Sequence, residues 1–401
     1  MSTVYDVTTW RIPDDPATTA HTDIGKIINS IIADVKAQQT TQSSRPGAVI
    51  YIPPGHYSLK TRVTVDISFL QIKGSGHGFT SLNIRYNTSD TSGWWEIWPG
   101  ASHIKVENTD GNSEAFIVQR TGDPRLSSIE FRDFCLDGVS FTPTQNSYTN
   151  GKIGIRFASD NDACKVTGMG FVYLERALVN NGADAFDATD NFIVECGSCI
   201  ELTGASQAVK VTNNHIGGGF TGYSVFAEGA EGLLVTGNNV FPRGRSVVHL
   251  KNSNRCVITA NRFQAFYPGM IDTEGTNKEN LISSNHFYRV PEGYPPMQGN
   301  DNGKDDLYGL IHLVGDNNMI STNLIDYNVP ADSVKPSGAT PTLILVAGGD
   351  ANFISNNHCV TNIATNHVVL DASTTNTKIL DCGTTSQIRS DTDSYTLRPT
   401  P

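Results

Sequence analysis

Between residues 183 and 202 the chain reads ADAFDATDNFIVECGSCIEL, and five carboxylates fall in this one stretch: Asp184, Asp187, Asp190, Glu195 and Glu201. Two carboxyl groups held in different surroundings can divide the labour of acid and base on a glycosidic bond. A solvated strand edge would use the same residues with no chemistry attached. The Cys196-x-x-Cys199 pair in the same stretch has no second CxxC and no histidine partner, so core cysteines are the simpler reading than a metal or redox motif. The run DNGKDD at 301–306 offers oxygen ligands but lacks the EF-hand spacing and its distal glutamate. No metal site and no cofactor motif is therefore expected. Glu201, Arg243, His249, Tyr267 and Asp301 are further candidates for contact with a substrate.

What must position these groups is a repeat. The phrases ATDNFI, VTNNHI, VTGNNV, ITANRF, ISSNHF, ISTNLI and ISNNHC share one asparagine, at Asn191, Asn214, Asn238, Asn261, Asn285, Asn323 and Asn357, with steps of 23, 24, 23, 24, 38 and 34 residues. A period of this size overrides local readings of secondary structure. Around each asparagine apolar and polar residues alternate, the signature of a strand. About 23 residues per turn, short strands and no helical pattern between them specify an all-β, right-handed parallel β-helix solenoid. Stacked asparagines at one bend can hydrogen-bond to the backbone and to each other. Against this ruler Glu195 stands out. It lies four residues after its asparagine, where the other coils place Gly218, Pro242, Ala265, Arg289, Tyr327 and Thr361.

Upstream, DIGKIINSIIADVK sets Ile24, Ile27, Ile28, Ile31, Ile32 and Val35 at helical spacing behind Thr22 or Asp23 as cap. A solenoid needs its apolar end covered, so this is the expected N-terminal capping helix. The expected organisation is one structural domain: residues 1–46 with that helix, the β-helix over 47–383, and a polar tail over 384–401. The two long steps carry turn-rich insertions, VPEGYPPMQGNDNGKDD and VPADSVKPSGATPT, which should leave the solenoid on the same side. Trp94, Trp95 and Trp98 lie where the rhythm is loose, either as a sugar-stacking platform or as a packed loop.

With 29 basic and 40 acidic residues the formal charge is −11, which disfavours nucleic acid and polyanionic polymers and favours a neutral ligand. No apolar run is long enough to span a membrane, and the first residues do not read as a signal peptide. The protein is then either cytoplasmic or exported after losing a signal. Seven cysteines, an odd number in a long chain, point to buried free thiols.

The segments DVTTW, DIGKIINSIIAD, PGAVIYIPPGHY, GSGHGFTS, MGFVYLERAL, FIVECGSCIEL, NNVFPRG, AFYPGM and DNGKDDL resemble the inulin fructotransferases, over most of the chain. The resemblance implies a trimeric parallel β-helix enzyme that converts β-2,1-linked inulin into a difructose dianhydride. It also implies that Asp184 and Glu195 are the paired acids; Asp190 and Glu201 share the same spacing. Each pair member would handle one proton, one at the attacking hydroxyl and one at the leaving oxygen. Asp184 and Glu195 are separated by a strand and a bend, more than about 10 Å of chain, so the working pair is expected to be completed across a subunit interface. Between Asn366 and Asn376 the chain is shorter than in members forming dianhydride III, which leaves dianhydride I or III as the product. The hydrolase that opens dianhydride III has the same fold. A pectate-lyase-like enzyme would want calcium carboxylates and a basic catalytic residue, and a non-enzymatic carbohydrate-binding β-helix would need no paired acids.

Overall fold

The computed structural model describes residues 4–38, 47–79, 100–110, 113–122, 125–138, 149–241, 246–290, 303–328 and 340–400. Arg243, Asp301 and the three clustered tryptophans lie outside the described residues. The chain divides into two compact units, Met1–Glu201 and Leu202–Pro401, each a parallel β-helix whose coils visit three sheets in turn.

In the N-terminal unit one coil runs from Lys165–Thr167 on the first sheet to Gly170–Val172 on the second and Arg176–Asn181 on the third. The next coil begins at Asp187–Thr189, in parallel register with the first (Val166 opposite Ala188), and continues at Phe192–Val194, with Phe171 opposite Ile193. Alternate side chains point inward, and their rings form a buried column: Phe116 packs on Phe131, Phe131 on Phe157 and Phe157 on Phe186, with centroids 5.3, 6.0 and 5.3 Å apart. Each fully buried ring of this kind stabilises the fold by about 1.5–3 kcal/mol.

The expected capping helix, α1, spans Ala20–Gln38, and its apolar residues Ile24, Ile27, Ile28, Ile31, Ile32 and Val35 are all buried against the strands Gly55–Leu59 and Val63–Val65. Asp23 is the structural hinge of that docking. Its backbone leaves the helical region, and its buried carboxylate accepts from the Gly25 amide at 3.1 Å, the Lys60 and Thr61 amides at 3.1 and 3.2 Å, and the Thr61 hydroxyl at 2.6 Å. One carboxylate thus caps the helix and ties it to the first coil. Gly25 permits the contact, because a Cβ there would lie 1.8 Å from the Thr61 carbonyl oxygen. The N-terminal segment also supplies a strand, Val4–Asp6, parallel to Ala48–Tyr51.

In the C-terminal unit Lys210 pairs with Leu234, Leu234 with Val257 and Val257 with Leu281, which reproduces the spacing of the asparagine phrases. Their asparagines form the expected ladder. The side-chain amide of Asn214 donates to Asn238 Oδ1 at 2.9 Å, Asn238 to Asn261 at 2.9 Å, Asn261 to Asn285 at 3.0 Å, Asn285 to Asn323 at 3.1 Å and Asn323 to Asn357 at 2.9 Å. The residue before each has positive φ, including Asn213, Gly237, Ala260, Ser284, Thr322 and Asn356. The bend needs a left-handed residue, and the ladder holds it there although most of these positions are not glycine. A second ladder, unnoticed in the sequence, joins Asn280 to Asn318 and Asn318 to Asn352, at 3.0 and 3.1 Å.

Both insertions fall between a strand of the second sheet and one of the third: the first follows His286–Arg289 and precedes Ile311–Val314, the second follows Leu324–Tyr327 and precedes Thr342–Asp350. They therefore leave from equivalent turns, as expected. The segment after residue 383 differs from the polar tail expected. Ile388–Ser390 pairs with Asn366–Leu370 and Tyr395–Arg398 with Thr377–Leu380, so the coil continues to the end. Short strands with one inward residue, such as Leu397 opposite Ile379, carry too little periodicity to be seen in sequence.

Candidate active site

Asp184 sits in the two-residue strand Ala183–Asp184, which pairs with Asn161–Asp162 and places Asp184 opposite Asp162. Two acids in register repel, and Arg125 answers Asp184: its Nη1 lies 2.9 Å from Asp184 Oδ2. This pair is half exposed, with 47% and 42% of the side chains accessible, so it is worth little to stability and is free to meet a substrate. In the coil it lies between a third-sheet strand and a first-sheet strand.

Glu195 lies at a different corner, after Phe192–Val194 of the second sheet and before the third-sheet strand that begins at Ser198. It is fully buried and has φ of 50°. The left-handed bend is common to many corners of this fold, so what sets Glu195 apart is a carboxyl at a fully buried corner. The two candidate acids therefore stand in contrasting surroundings, one beside a guanidinium in solvent and one enclosed, at two corners of the coil.

Glu201, outward on the third sheet, is committed to Arg176, whose Nε lies 3.0 Å from both carboxylate oxygens. Cys196 and Cys199 are fully buried; burial pushes the Cys196 thiol up to about 12, which leaves it unreactive. All seven cysteines are free and all but the half-buried Cys359 are buried.

The neighbouring second-sheet strands carry a polar chain the sequence did not reveal. His56 and His103 approach through their Nδ1 atoms at 3.0 Å, and His103 Nε2 meets Asp137 Oδ2 at 3.0 Å, with His103 and Asp137 buried. From the GSGHGFTS segment, His77 stacks on Phe192 with centroids 5.7 Å apart and planes at 7°. His77 and Phe79 thereby lie over the outward side of Gly170 and Phe192 on the second sheet.

In the C-terminal unit His249 belongs to a cluster around Asp272. The Asp272 carboxylate accepts from Lys304 Nζ at 2.6 Å and from the Tyr308 hydroxyl at 2.8 Å, and it lies 3.3 Å from His249 Nδ1 and 3.1 Å from His312 Nδ1. Neither imidazole contact is aligned as a hydrogen bond. Burial alone would raise the Asp272 carboxyl, but His249, His312 and Lys304 more than offset it and hold it well below the usual carboxylate range. Tyr267 lies beneath the Arg289 guanidinium, 5.9 Å from its ring centre. Asp306 accepts from the Tyr327 hydroxyl at 3.0 Å. Residues 303–306 of the DNGKDD run thus form a clasp, with Lys304 and Asp306 as its hooks. Among the described residues no group of three or more His, Cys, Asp and Glu side chains could hold a metal ion.

A depressed carboxyl stabilises the folded state above its unfolded pKa of about 4 and loses that contribution as pH falls toward the folded value. Asp272→Asn is therefore expected to cost about 2–3 kcal/mol at pH 7 by removing the carboxylate charge that faces Lys304. The gap from the parent should stay constant down to about pH 5 and shrink between about pH 4 and 2. Urea midpoints across that range test the assignment; a gap independent of pH would refute it.

Three long parallel sheets and asparagine ladders define a parallel β-helix, one coil of which carries two carboxyls in contrasting surroundings. Comparisons with known proteins narrow this to one family. Residues 284–401 match the family model described as the β-helix repeat of inulin fructotransferase, and residues 106–291 match that of the periplasmic copper-binding protein NosD. The chain is 54% identical to the DFA-I-forming inulin fructotransferase of Arthrobacter globiformis, across 100% of both chains. It is similar to the crystal structure of DFA-IIIase from Arthrobacter chlorophenolicus without its lid in complex with GF2, with a TM-score of 0.92, 47% identity and 100% of each chain covered. Against the same enzyme in complex with DFA-III the TM-score is 0.91, with 45% identity over 99% of this chain and 98% of that one. A Dettilon tailspike at 14% identity and a TM-score of 0.57, covering 97% of this chain and 68% of that one, shares the fold alone. The chain belongs to the inulin fructotransferase family.

Proposed function

We propose that the protein cleaves inulin by intramolecular fructosyl transfer and releases a difructose dianhydride, dianhydride I, with Asp184 and Glu195 as base and acid. The observation that carries the reading is full-length kinship to a DFA-I-forming enzyme in a chain whose Asp184 and Glu195 occupy such different surroundings. A hydroxyl of the terminal fructose attacks the anomeric carbon of the second unit. The new carbon–oxygen bond forms as the bond to the third unit's oxygen breaks; Asp184 takes the hydroxyl proton and Glu195 protonates the leaving oxygen. No water enters the balance, so the site must exclude it.

The positions of Asp184 and Glu195 at different corners of the coil support completion of the pair by a neighbouring subunit, in a homotrimer with its sites at the interfaces. A polymeric substrate supports an exported protein. Incubation with inulin followed by NMR of the disaccharide tests the activity: dianhydride I is expected, dianhydride III would overturn the product, and free fructose alone would overturn the transferase reading.

A further inference from the structure

On the outer side of the third sheet of the C-terminal unit, register lines up residues that the reaction above does not use. Phe226 stands opposite His249, His249 opposite Asp272, and Asp272 opposite His312. The inward residues of the same strands, Val225, Val248, Ile271 and Ile311, are ordinary core. The outward row is therefore an added feature rather than a demand of the fold. At one end Tyr223 stacks on Phe226 at 5.3 Å and 23° and lies 4.6 Å from the His249 ring. At the other, Tyr308 stacks on His312 at 4.1 Å and 12°, with the Lys304 ammonium 4.6 Å from the centre of the Tyr308 ring.

We propose that this row is a second fructan-binding surface, which holds the part of the chain that does not react. It rests on the reading of the protein as an enzyme acting on inulin. The Phe226 and His312 strands are three sheet spacings apart, about 14 Å, which is longer than one furanose ring and suits an extended oligosaccharide lying along the stack. Ring faces supply the apolar contact that a sugar offers on its C–H face, and the partly exposed His312 supplies a partner for a hydroxyl, while His249, only 5% exposed, backs the rings. Charge in the row is answered within it: Lys304 meets Asp272, and in the adjacent row Lys251 lies 3.1 Å from Glu228 and 3.9 Å from Glu274. With three carboxylates against two ammoniums the surface keeps a small negative excess, which disfavours an anionic polymer and leaves an uncharged polyol as the easier ligand. The buried Asp272 stands between the two imidazoles in the row, 3.3 and 3.1 Å from their Nδ1 atoms, and is itself fixed by Lys304 and Tyr308 before a ligand arrives.

A purely structural patch predicts only lost stability when its rings are removed. A binding surface predicts dependence on substrate length. Phe226→Ala and Tyr223→Ala in the full-length protein should raise KM for long-chain inulin about 5- to 10-fold, with kcat unchanged and the kinetics on an inulin-type trisaccharide unchanged. Phe226→Tyr, which keeps a ring, should restore the parent KM. Titration calorimetry with long-chain inulin on a Glu195→Gln background gives a second readout that needs no turnover, and Phe226→Ala should weaken binding there by a similar factor. Equal shifts for long and short substrates, or none for either, would overturn the proposal. If the parent protein makes no dianhydride, the enzymatic reading fails, while calorimetry still decides the surface: binding indifferent to Phe226 refutes it.

Discussion

Glu195→Gln should lower kcat on inulin by about 10³-fold, and Asp184→Asn by a similar factor, because each removes one proton transfer from the rate-limiting step. KM should change little, since neither exchange removes a ring or a large contact area. The two variants should differ in their stability. Asp184 is half exposed beside Arg125, so its exchange leaves the urea midpoint within about 0.5 kcal/mol of the parent. Glu195 is enclosed, and its neutral isostere keeps the volume of the bend. Activity that falls only in proportion to the folded fraction would assign both residues to structure. If the pair is completed between subunits, coexpression of the two inactive variants should restore activity. Random mixing leaves about a quarter of the interfaces with both acids intact, so roughly a quarter of the parent kcat is expected. No recovery in mixed oligomers would place both acids of a working site in one chain.

Asn238→Ala should destabilise the protein by about 4 kcal/mol, whereas Asn239→Ala, one residue on, should stay within about 0.5 kcal/mol. Asn238 Oδ1 accepts from the backbone and side-chain amides of Asn214, both at 2.9 Å. Its own amide donates to Val211 O and to Asn261 Oδ1, each at 2.9 Å. Alanine takes these partners from the two Asn214 amides and the Val211 carbonyl of the coil below, in a site only 2% exposed, at about 1–3 kcal/mol for each group stranded; Asn261 Oδ1 keeps the backbone amide of residue 238. Coils contact only their neighbours, so a broken rung also weakens both adjoining interfaces. Asn239 is partly exposed, and its side chain receives one long contact, 3.3 Å, from Arg262. Denaturant midpoints of the two variants separate the cases, and equal effects would show that the ladder is ornament.

The fold was legible because its repeat is written in one residue type. A buried bend that offers a backbone amide and carbonyl on each coil selects asparagine, the side chain that can answer both and its neighbours as well. The capping helix was legible for a related reason, since Ile24 to Val35 hold the 3.6-residue period without interruption. The second ladder carried the same signal in ENLIS, NNMIS and ANFIS, but three rungs are few against the background of turns. The acid at Glu195 could be singled out only by comparing coils inside the chain.

By itself the sequence determined the coil length, the inward apolar rows, the capping helix and the coil on which acids crowd, because each depends on residues near one another along the chain. Tertiary structure alone decided which outward residues meet. His103 finds Asp137 from 34 positions away, and Lys304 reaches Asp272 from 32. Such partners are brought together by register between strands, and register follows from the lengths of the turns summed over whole coils, which no local pattern encodes. For the same reason Asp184 and Glu195, 11 residues apart in the chain, stand at separate corners: the bend at Asn191 turns the chain between them.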